Sequence, residues 1–143
     1  MFAPAAASRT ASNVFASVYR QVGVDTGVAS ASPHQLVLML FDGFRDALAQ
    51  AHGAMQSGQV DVKGRAIGRA VRIVDEGLKA ALNLEAGGKL ASDLQALYAY
   101  VTLRLTQANL RNDPAALEEC GRLMEPLRTA WVGIGAAAST AAQ

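Results

Sequence analysis

The sequence contains one cysteine, two histidines, one tryptophan and three isoleucines among 143 residues. Each scarcity removes a class of protein. Cys120 has no partner within the chain, which excludes an internal disulfide scaffold and fits a reducing compartment. Thirteen basic against twelve acidic side chains leave a net charge of +1. That balance lacks the positive field that draws a protein to nucleic acid or anionic membrane. No apolar run approaches the roughly 18 residues of a membrane span. Ser8, Arg9, Thr10, Ser12 and Asn13 interrupt the N-terminal region, unlike the continuous apolar stretch of a secretory signal. The expectation is a soluble, cytosolic protein with neither a membrane nor a nucleic-acid partner.

What is plentiful is alanine and leucine, 29 and 16 residues, while aromatics reach only 6%. Such a composition favours helix over sheet. The length suits one domain with a real core. Residues 1–30 are rich in Ala, Ser, Thr and Gly, and their apolar steps are Val14, Phe15, Val18, Tyr19 and Val22. They predict a flexible segment with a short amphipathic helix that needs a surface to lie on. A four-helix bundle is expected over 31–134 and a disordered tail over 135–143.

The first helix has the clearest start. Ser32 serves as N-cap, Pro33 as first helical residue and Gln35 as the third, a capping box. Val37, Phe41, Phe44, Leu48, Ala51 and Met55 then step at heptad spacing, and Gly58 closes the helix. The second begins near Asp61 with the stripe Ile67, Val71, Val74, Leu78 and Ala81, and ends at Asn83 and Gly87-Gly88. The third runs from about Lys89 to Arg111 on Leu90, Leu94, Leu97, Val101, Leu105 and Ala108. Asp113 caps the fourth, and Pro114 takes its first turn. Its stripe is Leu117, Cys120, Leu123 or Met124, Leu127, Trp131 and Ile134, with a kink or break expected at Pro126. Short loops between helices of this length predict an all-α, antiparallel, up-down-up-down four-helix bundle with the N-terminal segment packing on it.

Catalytic or metal chemistry finds little support. His34 and His52 share a helix face, but 18 residues of helix separate them by roughly 27 Å. Ala49 stands where a di-iron helix would place Glu before His52. No metal and no cofactor are expected. Cys120 lies on an apolar stripe and reads as a small buried hydrophobe. Asp42 and Asp46 are one turn apart, and the adjacent Arg45 favours an ion-paired surface over paired catalytic carboxylates. Gly87-Gly88-Lys89 fails as a phosphate loop, because Asn83 and Leu90 occupy positions that need Gly and Ser or Thr. Gly64 and Gly68 suggest close approach of a neighbouring helix. Arg65, Arg69 and Arg72 form a basic stripe that reads as a solvated outer face.

Apolar surface exceeds what a bundle uses. Leu36, Val37, Leu38, Met39, Leu40 and Phe41 are consecutive, so at about 100° per residue they encircle the helix. The third helix behaves similarly through Leu97, Tyr98, Tyr100, Val101, Leu103 and Leu105. Two readings stand level: the N-terminal segment covers this surplus permanently, or covers it until a partner's amphipathic helix replaces it.

Ala31-Ser32-Pro33-His34-Gln35-Leu36-Val37-Leu38-Met39-Leu40-Phe41-Asp42-Gly43 is similar to the signature of the FliS family of flagellin-specific export chaperones. Further matches are Tyr19, Gly87-Gly88, Leu97-Tyr98 with Tyr100, Arg104-Leu105, Ala108-Asn109, Leu127-Arg128 and Trp131. Phe41 departs from the family's usual tyrosine and lacks its hydroxyl. The resemblance spans residues 19 to 131. It implies a cytosolic, non-enzymatic chaperone of flagellar type III secretion. Such a chaperone binds the disordered C-terminal segment of flagellin, prevents premature polymerisation and helps deliver it to the export gate. Tyr19, Leu36, Met39, Leu40, Tyr98, Val101 and Leu105 are the candidate groove wall or gate. Arg104 and Asn109 are candidates to fix the client's backbone or polar face. The expected resting state is a monomer or weak homodimer. The rival reading is a structural or regulatory bundle that homodimerises through its surplus apolar surface.

Overall fold

The computed structural model describes residues 31–142, with side chains described as far as Gly135. The expectations for residues 1–30, including Tyr19, lie outside the described residues. Four helices and no strand are present among the described residues. Helix α1 spans Pro33–Gln56 and α2 spans Val60–Arg72, continuing through a π-helical stretch at Ile73–Leu78. Helix α3 spans Leu84–Arg111 and α4 spans Pro114–Ala142.

The capping box forms as the sequence predicts. The Gln35 backbone N–H donates to Ser32 Oγ at 3.1 Å, and the Ser32 N–H donates to Gln35 Oε1 at 2.9 Å. Gly58, at φ +71°, turns the chain after α1 in a conformation that L side chains seldom adopt. Asn83 begins the third helical region instead of ending the second, since its side chain accepts from the Ala86 N–H at 3.0 Å. Gly88 interrupts that region at φ 53° and ψ −130°, so the regular part of α3 follows the kink, close to the expected Lys89 start. At the next corner Asn112 ends α3 in the left-handed region, and Asp113 accepts from the Ala115 N–H at 3.0 Å.

Each helix packs against its neighbours in sequence, and α1 also packs against α4, which closes the ring. Phe44, Leu36, Leu40, Ile73, Val74, Val101, Leu105, Leu117 and Cys120 are fully buried, so all four helical stretches feed one core. Ala47, Ala51, Ala70 and Ala108 are also wholly enclosed. Their small side chains let the helices approach closely, which is the physical use of so much alanine.

Several expectations are corrected. The centre of the buried stripe on α1 falls at Leu40, Phe44, Ala47, Ala51 and Ala54, while Val37, Leu48 and Met55 sit half-buried on its flank. Leu90, expected in the core, is exposed, because nearly every residue from Ala80 to Leu90 lies on a projecting end. Ala81 and Ile134 are likewise outside the core. Of the kink or break expected at Pro126, the break is absent, because α4 continues through that residue. Pro126 and Arg122 are both exposed, so the carbonyl that loses its donor can be hydrated. Among the described residues, nothing stands within 4 Å of where a Cβ of Gly64 or Gly68 would be, and no described helix closes on them. The close approach is at Gly77, where an added Cβ would come within 2.9 Å of Leu40 Cδ1.

Candidate functional site

Two seams of the ring carry polar chemistry. Where α1 meets α4, the His34 and Trp131 rings stack with centroids 4.9 Å apart and planes 7° from parallel. Their backbones complete the clasp. His34 Nε2–H donates to the Trp131 carbonyl at 2.8 Å, and Trp131 Nε1–H donates to the His34 carbonyl at 3.0 Å. Gly135 borders this clasp, because a Cβ there would run into the His34 ring. Further along, Arg128 Nε donates to Asp42 Oδ1 at 2.6 Å, and Arg45 lies 3.4 Å from Glu125. Asp42 therefore is ion-paired, as expected for this surface, but its partner is Arg128 on α4 and not the adjacent Arg45. A shallow, open depression of about 530 Å³ lies on the same seam, lined by Arg45, Leu48, Glu118, Gly121, Arg122 and Glu125.

Where α3 meets α4, Glu119 accepts from Tyr100 Oη at 2.7 Å and from Arg104 Nε at 2.6 Å. Those bonds, the Tyr100 one foremost, hold the Glu119 carboxyl below the usual carboxylate range, although burial opposes them. The same bond pushes the Tyr100 phenol up. Arg104 also donates to Gln107 Oε1 at 2.7 Å. Beneath this network Cys120 is enclosed, its Sγ 3.7 Å from the Val101 carbonyl. Burial pushes its thiol up to about 11, so it behaves as the small hydrophobe its sequence position suggests.

Lys63 is the buried charged residue of the described chain, at 8% exposure. Its Nζ donates to the Asn109 carbonyl at 3.1 Å and to Asn112 Oδ1 at 3.2 Å. A cation at the C-terminal end of α3 satisfies carbonyls that the helix leaves unpaired and meets the negative end of its dipole. The stem of Lys63 crosses the apolar flank of α2 to reach them.

The sequence-derived site residues divide by depth. Leu36, Leu40, Tyr98, Val101 and Leu105 are core residues, and burial pushes the Tyr98 phenol up to about 12. Met39 is half-buried against the core, Arg104 is engaged by Glu119, and Asn109 lends its carbonyl to Lys63. The exposed large apolar side chains are others. On α2 there is Val60, on α3 Leu84, Leu90, Tyr100, Leu103 and Leu110, and on α4 Val132 and Ile134. Leu103 and Leu110 are two turns apart on one face, roughly opposite Val101 and Leu105. Leu110 is 80% exposed and Leu103 54%. Heptad counting selects the buried stripe and passes over this second one. The signal that finds it is an apolar residue half a turn away from the core stripe. The clasp of His34 and Trp131 leaves no comparable pattern, because its partners are 97 residues apart.

Among the described residues, no cluster of three or more His, Cys, Asp or Glu is arranged to hold a metal. No helix is long and apolar enough to cross a membrane, again among the described residues.

A helical ring with exposed apolar side chains, most of them on α3, defines a class of protein that works through its surface. Comparison with known proteins gives that class its family. The family described as flagellar protein FliS matches residues 15–138. The flagellar secretion chaperone FliS of Salmonella typhimurium is 48% identical over 130 residues, covering 91% of this chain and 95% of its own. The flagellar secretion chaperone FliSB of Pseudomonas aeruginosa is 42% identical over 116 residues, 81% of this chain and 91% of its own. The FliS chaperone of Bacillus subtilis is 31% identical over 115 residues, 80% and 81% of the two chains. The chain belongs to the FliS family of flagellar secretion chaperones, a non-enzymatic family.

Proposed function

We propose that this chaperone captures the disordered C-terminal segment of flagellin in the cytosol, prevents its premature polymerisation and hands it to the flagellar export gate. The observation that carries the reading is the apolar outer arc of α3, with Leu103 and Leu110 in solvent although the core beneath them is complete. Folding a disordered segment on binding costs about 2–5 kcal/mol or more and buries roughly 1,000–3,000 Å². A long apolar strip offsets such a cost better than a few charges do. Only 17% of this sequence is charged. In this reading Met39, Arg104 and Asn109 lie at the contact surface. Leu36, Leu40, Tyr98, Val101 and Leu105 form the wall behind it, and Tyr19 belongs to a segment that covers it at rest.

We infer an antiparallel, up-down-up-down course for the four helices. Contacts between α1 and α4 support it, since His34 meets Trp131, Asp42 meets Arg128 and Arg45 meets Glu125. As one number rises the other falls.

Calorimetry and circular dichroism on the chaperone mixed with its flagellin tail test the capture. A one-to-one complex should gain helix beyond the sum of its parts, with a negative heat-capacity change. Absence of both would refute it. Removing residues 1–25 should raise tail affinity, and unchanged or weaker binding would show that the segment is not a cover. The same exposed strip also suits homodimerisation. Light scattering on the protein alone separates the readings, because a tight dimer would hide the strip.

A further inference from the structure

Most basic residues of the described chain have partners. Arg45, Lys79, Lys89, Arg104 and Arg128 each meet a carboxylate, and Lys63 meets the end of α3. Arg65, Arg69 and Arg72 meet none among the described residues. They stand at steps of four and three on α2, which brings them along one side of the helix over roughly 10 Å. Arg65 is exposed and Arg72 half-buried. Arg69 is also half-buried, and its Nε is enclosed with no hydrogen-bond acceptor among the described residues. The enclosed Nε is out of a partner's reach, so a docking carboxylate would meet Arg69 through the rest of its half-buried guanidinium.

No described residue covers the surface between these arginines. Gly64 and Gly68 have nothing within 4 Å of where a Cβ would stand. Asp61, Arg65, Gly68 and Arg72 face away from the buried Lys63, Ile67 and Ala70. A missing side chain at Gly68 lets a partner's backbone come close while flanking arginines reach around it.

We propose that the outer face of α2 is a docking surface for an acidic helical protein segment, whose carboxylates at matching steps of four and three pair with Arg65, Arg69 and Arg72. The ends of the patch favour a short acidic helix over a nucleic-acid backbone. Asp61 lies on one side, and Asp75 and Glu76 lie on the other, all exposed. A continuous ladder of phosphates would run onto these carboxylates. Helix α2 also carries no aromatic side chain on which a base could stack. The patch is separate from the apolar arc of α3 and does not depend on the client reading.

The test is fluorescence anisotropy of the full chain with a labelled, alanine-based helical peptide bearing glutamate at steps of four and three. A peptide with glutamine at those positions is the control. The glutamate peptide should bind at least about tenfold more tightly than the control, less so at high salt. If each exposed pair contributes about threefold, R65Q/R69Q/R72Q should weaken it by about tenfold to thirtyfold, and Arg65→Gln alone by about threefold. Arg111→Gln and Arg122→Gln, on other helices and without a carboxylate partner among the described residues, should leave it unchanged. Circular dichroism and thermal melting of each variant establish that it folds, and the exposed Arg65→Gln keeps the test open if the triple variant does not. Equal binding of the two peptides would overturn the proposal. So would binding indifferent to Arg65→Gln, or tighter binding of a random DNA duplex than of the glutamate peptide.

Discussion

Helices α1 and α3 both carry apolar residues on every side, yet only α3 leaves large ones in solvent. On α1 the run from Leu36 to Phe41 is enclosed at Leu36, Leu40 and Phe41, and half-enclosed at Val37, Leu38 and Met39. On α3 the core face is as dry, with Val101 and Leu105 fully buried, but Leu103 and Leu110 project. The difference lies in the neighbours. Helix α1 is flanked by α2, the π-helical stretch and α4, with polar clasps along the α4 seam. Helix α3 packs less extensively, and its outer arc meets no described element. Surplus hydrophobicity becomes a working surface only where the fold fails to cover it.

The largest expected effect attacks the covered helix. Phe44→Ala should cost about 3–5 kcal/mol in urea denaturation, since a wholly enclosed ring leaves a cavity. A cost below about 1 kcal/mol would mean that α1 is not the dry side of the comparison. The converse substitutions sharpen it. Leu103→Ser with Leu110→Ser should change stability by no more than about 0.5 kcal/mol each. The same pair should weaken capture of the proposed flagellin tail by about tenfold, as losing two apolar anchors does.

A smaller effect separates the clasp from the core. Trp131→Phe keeps a ring for His34 to stack on but removes the indole donor to the His34 carbonyl, so about 1 kcal/mol should be lost in thermal melting. The smallest effect concerns pH. Glu119 has its folded-state carboxyl held low, so its contribution is present above the ordinary carboxylate range and lost as pH falls through the depressed value. Stability measured against pH should therefore decline on the acid side, and Glu119→Gln should flatten that limb. Cys120 offers a check on rigidity: with the thiol pushed up to about 11 and enclosed, iodoacetamide should modify it far more slowly than a free cysteine until the chain unfolds.

Helix positions and most caps were legible in advance because they depend on residues a few places apart; Asn83, expected to end one helix, caps the start of the next. Ser32 and Gln35 close their capping box within one turn, and Gly88 breaks regular helix wherever the rest of the chain goes. On α1 the buried stripe was legible to within one residue. Its offset on α1, from Val37 and Leu48 to Leu36 and Ala47, reflects how the helix is rotated between two neighbours, which periodicity does not state. Gly64 and Gly68 looked like a packing motif, but the close approach is at Gly77. The candidate site was less legible still. Leu36, Leu40, Tyr98, Val101 and Leu105 are apolar in any arrangement, and only packing separates them from Leu103 and Leu110.

The sequence by itself therefore determined the helical class, the caps, the approximate core stripes and, through the motif around Ser32 and Pro33, the family. These are short-range properties, carried by hydrogen bonds and spacing within a turn or two. Tertiary structure alone decided which apolar side chains stay wet and that His34 meets Trp131 across 97 residues. It also decided that Lys63 caps a helix to which it does not belong. Those outcomes depend on what happens to lie opposite each face, and a linear order of residues holds no record of opposites until the chain has packed.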